Sequence, residues 1–147
     1  MLRRNIFATL IIILLVACSA KSQGTKPSWK YGVGTNIDLV CTTNVTFYKG
    51  GKRIFNYPGG GCNAGAPHEY IINKKYYWTG GGGLPVQGVP IPDSARLEFV
   101  SFYDSKRYRL TINLPENLEQ RMQQGFRVGE RIDQRNWLYF GLAPGGY

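Results

Sequence analysis

Three cysteines carry most of the chemistry open to this chain of 147 residues. Cys18 closes the run Leu15-Val16-Ala17-Cys18, which ends an apolar stretch from Ile6 to Val16 behind a cationic start at Arg3 and Arg4. A cationic start, an apolar middle and small residues at a cut are the parts of a secretion signal, and a cysteine just after the cut offers a thiol for acylation. The apolar stretch is well short of the roughly 20 residues that a membrane-crossing helix requires, so a stop-transfer anchor is not expected. A plain signal peptide has no need of cysteine at that position. Residues 1–17 are therefore read as a lipoprotein signal peptide and Cys18 as the site of lipid attachment, with a membrane as the first partner. Each acyl CH₂ buried in a bilayer contributes about 0.8 kcal/mol, so several chains on one cysteine hold a protein essentially permanently.

With Cys18 acylated, Cys41 and Cys62 remain, 21 positions apart. In an oxidising compartment such a pair is a natural disulfide, worth about 3 kcal/mol on the chain-entropy model. Zinc is the less favoured use, because the spacing is wrong and the single histidine, His68, lies on a Gly- and Pro-rich loop. No nucleophile sits in a Gly-x-Ser-x-Gly or comparable context. Most of the nine acids stand beside basic neighbours, as in Arg96-Leu97-Glu98, Asp104-Ser105-Lys106 and Glu130-Arg131, which reads as solvated ion pairs and not as a carboxylate pair across a cleft. The expectation is a non-enzyme with no catalytic residue, no cofactor and no metal.

The elements that position these residues are mostly strands. Residues 18–28, including the polar run SAKSQGTKPS, show no apolar periodicity and read as a lipidated tether. A single periplasmic domain is then expected over 29–147, a length that supports one modest core. Strands are predicted at 29–33, 37–48 and 53–57, the last two joined through Gly50-Gly51. Residues 58–92 change character, with Gly59-Gly60-Gly61 and Gly80 to Gly83 pointing to loops around short strands at 69–72 and 76–79. Ala95, Leu97, Phe99, Ser101 and Tyr103 then alternate with Arg96, Glu98, Val100, Phe102 and Asp104, giving one apolar or small face. After a turn at Asp104-Ser105-Lys106, residues 108–114 alternate again and complete a central hairpin. Pro115, Glu116 and Glu119 suit the start of a helix and Gly125 its stop, with Leu118 and Met122 as a stripe against the sheet. A last strand spans 137–142. The fold class is mainly β, an antiparallel sheet or sandwich with one short helix after the central hairpin.

The formal charge is +9, from 18 Lys and Arg against 9 Asp and Glu. Loss of Arg3 and Arg4 with residues 1–17 leaves 16 basic residues and +7. The basic residues are scattered among turns, so nucleic acid is not expected as a partner, and anionic headgroups or an acidic protein fit better. The candidate partner-binding residues are Tyr76, Tyr77 and Trp78 beside the four-glycine run, and Phe55 and Tyr57 near Gly59 to Gly61. Large rings next to glycine backbone are common on recognition surfaces, although alternate members of such runs also serve to fill a core.

Together the cut-and-acylation motif, the Gly61-Cys62 step, the run Ala95-Arg96-Leu97-Glu98-Phe99-Val100-Ser101-Phe102, the run Leu114-Pro115-Glu116-Asn117-Leu118 and the ending Gly141-Leu142-Ala143-Pro144-Gly145-Gly146 resemble an uncharacterised family of proteobacterial lipoproteins, domain of unknown function 2931. Members of that family usually continue past this ending into another apolar strand containing tryptophan, and this sequence departs from that pattern at Tyr147. Lipoproteins that look like this occur near type VI secretion genes for phospholipase-type effectors. The resemblance therefore implies an immunity protein, and the other reading is an envelope-maintenance lipoprotein that binds lipid or cell-wall material. Ser19 in place of aspartate implies, by analogy, an outer-membrane lipid anchor facing the periplasm.

Overall fold

A computed structural model describes residues 28–36, 39–65, 73, 78 and 83–146. The predicted signal, the tether up to residue 27, His68 and the expected strand at 69–72 lie outside the described residues, while Ser28, expected in the tether, opens the first strand. Among the described residues ten strands and one short helix follow in chain order: β1 Ser28–Thr35, β2 Val40–Lys49, β3 Lys52–Pro58, β4 Cys62–Asn63, β5 Gly83–Gln87, β6 Ser94–Ser101, β7 Lys106–Asn113, α1 Leu118–Gln123, β8 Gly125–Val128, β9 Arg131–Gln134 and β10 Trp137–Leu142.

Period-two patterning sorts most of these strands into two sheets. The larger runs β3-β2-β6-β7, with β4 also on β2, and all its pairs are antiparallel. The smaller runs β10-β1-β5, with β5 antiparallel to β1 and β10 parallel to it. One pair therefore departs from the antiparallel expectation. It can do so because β1 and β10 lie at opposite ends of the chain, leaving ample sequence for a crossover.

The inner faces meet in one core. Trp29 and Tyr31 from β1 set their rings edge-on to Phe47 from β2, with centroids 5.0 and 5.1 Å apart, and Phe140 from β10 lies 6.1 Å from Phe47. Edge-to-face pairs of this kind contribute about 0.5–1.5 kcal/mol beyond the area they bury. Ala95, Leu97, Phe99 and Ser101 of β6 are all buried, as their alternation predicts. Tyr103 does not join them. The strand ends at Ser101, the chain turns over 102–105, and Tyr103 is 70% exposed. The helix also starts later than its proline suggests, at Leu118, and buries Leu118 and Met122. Three features escaped the pattern altogether, the two-residue strand β4, the edge strand β5 and the hairpin β8–β9, whose eight residues are all exposed.

Cys41 and Cys62 form a disulfide, with Cα atoms 4.0 Å apart on the paired strands β2 and β4. Gly59 to Gly61 explain how β3 leads into β4 along the same edge of β2. Gly59 has φ of 100° and donates its N–H to Thr43 O at 2.9 Å, while Thr42 N–H donates to Gly61 O at 3.2 Å. A Cβ on Gly60 would collide with the Thr42 carbonyl. The second glycine cluster is not all loop either, since Gly83 opens β5.

Candidate functional site

The outer face of the small sheet follows from alternation on β10 and β1. Leu138, Phe140 and Leu142 point inward, which sends Trp137, Tyr139 and Gly141 outward. On β1 the inward residues are Trp29, Tyr31 and Val33, leaving Lys30, Gly32 and Gly34 outside. The register sets Lys30 beside Trp137, Gly32 beside Tyr139 and Gly34 beside Gly141. With glycine in the middle of the sheet, the rings from the flanking strand lie down on its backbone. A Cβ at Gly32 would stand 3.1 Å from the Tyr139 ring, and one at Gly83 on β5 would collide with the Trp137 indole. Trp78, from outside both sheets, rests its ring over Gly141. All three rings are well exposed, at 47% for Trp137, 43% for Tyr139 and 52% for Trp78. Lys30 holds its Nζ 5.3 Å from the centre of the Trp137 ring, an attraction of about 0.5–1 kcal/mol at an exposed site.

A second feature lies between the sheets. A cavity of about 340 Å³ is lined by Tyr31, Val33, Thr42, Tyr57, Asn63 and the backbone of Gly59 to Gly61, among others. Asn63 donates its side-chain N–H to Val33 O at 2.9 Å. Tyr31 and Thr42 are 3% and 7% exposed, and neither hydroxyl has a hydrogen-bond partner among the described residues. Burial, and next the nearby Tyr57, push the Tyr31 phenol up to about 12.

Two aspartates tie loops together at opposite ends of the hairpin β6–β7. Asp104 accepts the Gly145 N–H at 2.6 Å and the Tyr108 hydroxyl at 2.8 Å on the same oxygen. Those bonds, the one from Gly145 first, hold its carboxyl below the ordinary carboxylate range. Gly146, with φ of 81°, lies against the Tyr108 ring, so the Gly-Leu-Ala-Pro-Gly-Gly ending packs on the hairpin tip. At the other end Asp93 accepts the Gly50 N–H at 2.6 Å, which lowers its carboxyl in the same way. Both carboxylates are committed to backbone donors and are poorly placed for acid–base work. Among the described residues no group of His, Cys, Asp and Glu is placed to hold a metal ion.

The residues expected from sequence divide unevenly. Tyr76, Tyr77 and Cys18 lie outside the described residues. Trp78 is exposed, though not in a strand as the predicted run 76–79 required. Phe55 is half-buried against the core, with its ring 6.2 Å from those of Tyr31 and Phe47. Tyr57 lines the cavity and is 38% exposed. Trp137 and Tyr139 were placed in a strand by sequence but not at a site. Their signal was the pair of alternations Trp137-x-Tyr139-x-Gly141 and Lys30-x-Gly32-x-Gly34, which shows only once the two strands are known to be neighbours.

The family described as "Protein of unknown function (DUF2931)" matches residues 16–147. No curated protein and no solved structure matches the chain.

Proposed function

Because the chain belongs to the DUF2931 family of unknown function, we propose from its own residues that it is a lipid-anchored, non-catalytic binding protein of the cell envelope. Cys18 carries the anchor, and the outer face of the small sheet carries the partner. The observation that supports this most is the set of three exposed rings, Trp137, Tyr139 and Trp78, bedded on glycine backbone. Tryptophan and tyrosine present large, rigid contact area and lose little side-chain freedom on binding, which is why they dominate binding hot spots. A protein partner is the first reading, and the family resemblance adds an effector of the phospholipase type as the protein to be neutralised.

The experiment exports such an effector, encoded beside this chain, to the periplasm of cells that carry the chain. Survival is expected with the intact chain and death with Trp137→Ala/Tyr139→Ala. Cys18→Ser tests the anchor separately, by membrane fractionation, where the altered chain should move to the soluble fraction. A second reading, recognition of cell-wall material, is favoured by the cavity between the sheets, which the protein reading leaves without a use.

A further inference from the structure

We propose that the cavity between the two sheets binds a neutral, hydroxyl-bearing ring, with a hexopyranose unit of a glycan as the ligand class. This rests on the second reading above and names its substrate class.

The reasoning begins with two hydroxyls. A buried hydroxyl without a partner costs about 1–3 kcal/mol, and Tyr31 and Thr42 each bring one to the wall of the same cavity. Phenylalanine and valine would fill the same space without that cost. The presence of both hydroxyls at one cavity points to a ligand that supplies their hydrogen bonds. Among the described residues no Lys, Arg, Asp or Glu lines the cavity, so a charged ligand would lose its hydration without gaining a counter-charge from them. An acyl chain would leave both hydroxyls as unpaired as before. A neutral polyol ring satisfies them, and its C–H face suits the Tyr57 ring at the exposed edge of the cavity.

The volume agrees with this. About 340 Å³ lies at the lower end of the range for small-molecule sites, which suits one or two sugar rings. Gly60 keeps part of the wall bare, because any side chain there would drive its Cβ into the Thr42 carbonyl. The phenol of Tyr31, raised by burial, stays protonated and available as a donor at neutral pH.

The test uses the full chain purified in detergent, with N,N′-diacetylchitobiose as probe and titration calorimetry as readout. Saturable binding is expected in the unaltered chain. Tyr31→Phe and Thr42→Val should each weaken it about tenfold, the equivalent of one hydrogen bond. Their melting temperatures should stay level or rise, because no protein partner is lost. Absence of saturable binding in the unaltered chain overturns the proposal, and so does binding that survives both substitutions. A fall in melting temperature also overturns it, since the hydroxyl would then serve the fold. Anchoring through Cys18 is read by fractionation and stands or falls independently of this result.

Discussion

The two sheets turn opposite kinds of surface to solvent. The large sheet shows charge: Arg109 Nε lies 3.0 Å from Glu98 Oε1, Arg96 Nε lies 3.8 Å from the same oxygen, and the Arg96 guanidinium stands 5.8 Å from the centre of the Tyr48 ring. The small sheet shows Trp137, Tyr139 and the ring of Trp78, with Lys30 of the central strand beside Trp137. Solubility explains the first, since mixed, paired charges are what an idle β-surface carries. It does not explain the second, whose exposed rings are concentrated on one face, as the proposed partner surface requires. Glycine makes the second surface possible. At Gly32 and Gly83 the backbone is left bare so that rings can lie flat on it, a packing that leaves the outer face of each ring available.

Experiments that disturb one face and spare the other sharpen this contrast. The largest effect is expected at the covalent tie of the large sheet. Reduction of Cys41–Cys62, or Cys41→Ser with Cys62→Ser, should cost about 3 kcal/mol in denaturant unfolding and leave the fluorescence of Trp137 unchanged. A shift of that fluorescence on reduction would mean the two faces are mechanically one. Next in size, Gly83→Val should cost about 1–3 kcal/mol through overpacking and lift Trp137 from its bed, which a change in emission maximum would register. An unaltered emission would place the indole elsewhere. Glu98→Gln breaks the ion pairs of the large sheet and should cost no more than about 1 kcal/mol, with partner binding intact.

The smallest effect is the response to acid. Asp93 and Asp104 both have folded-state pKa values below the ordinary 3.8. Their contribution is therefore fully present above the unfolded value and is lost as pH falls through the lowered folded values. A melting curve taken as a function of pH should fall below about pH 4, and Asp104→Asn should flatten part of that fall. An Asp104→Asn curve that matches the unaltered one would remove the Gly145 bond from the account.

Sequence reading reached the large sheet more fully than the small one, for a physical reason. The hairpin β6–β7 joins neighbours in sequence and alternates strictly, so its face and partner were legible, while its turn was read at 104–106 and lies over 102–105. The pairing of Cys41 with Cys62 followed from the arithmetic of thiols, and the connection from β3 to β4 that brings them together runs through Gly59 to Gly61, which sequence read as a loop. The small sheet joins the first strand to the last and both to a strand inside a glycine-rich stretch. No local signal carries that pairing. Gly83 read in isolation as part of a loop, and Gly32 as an ordinary strand position, although paired with Trp137 and Tyr139 they are the bed of a surface. Helix α1 was found through Leu118 and Met122, and its start was misplaced because Pro115 to Asn117 form a turn that Leu118 N–H closes on Pro115 O at 2.9 Å.

The central claim is that the aromatic face, and not the charged one, meets the partner. The most direct test compares two double variants in cells that export to the periplasm a phospholipase-type effector of the class proposed as partner. Trp137→Ala/Tyr139→Ala should abolish protection, while Arg107→Ala/Arg109→Ala on the large sheet should protect as well as the unaltered chain, with both variants equally abundant in the membrane fraction. Protection that survives the first pair and fails with the second would contradict the account.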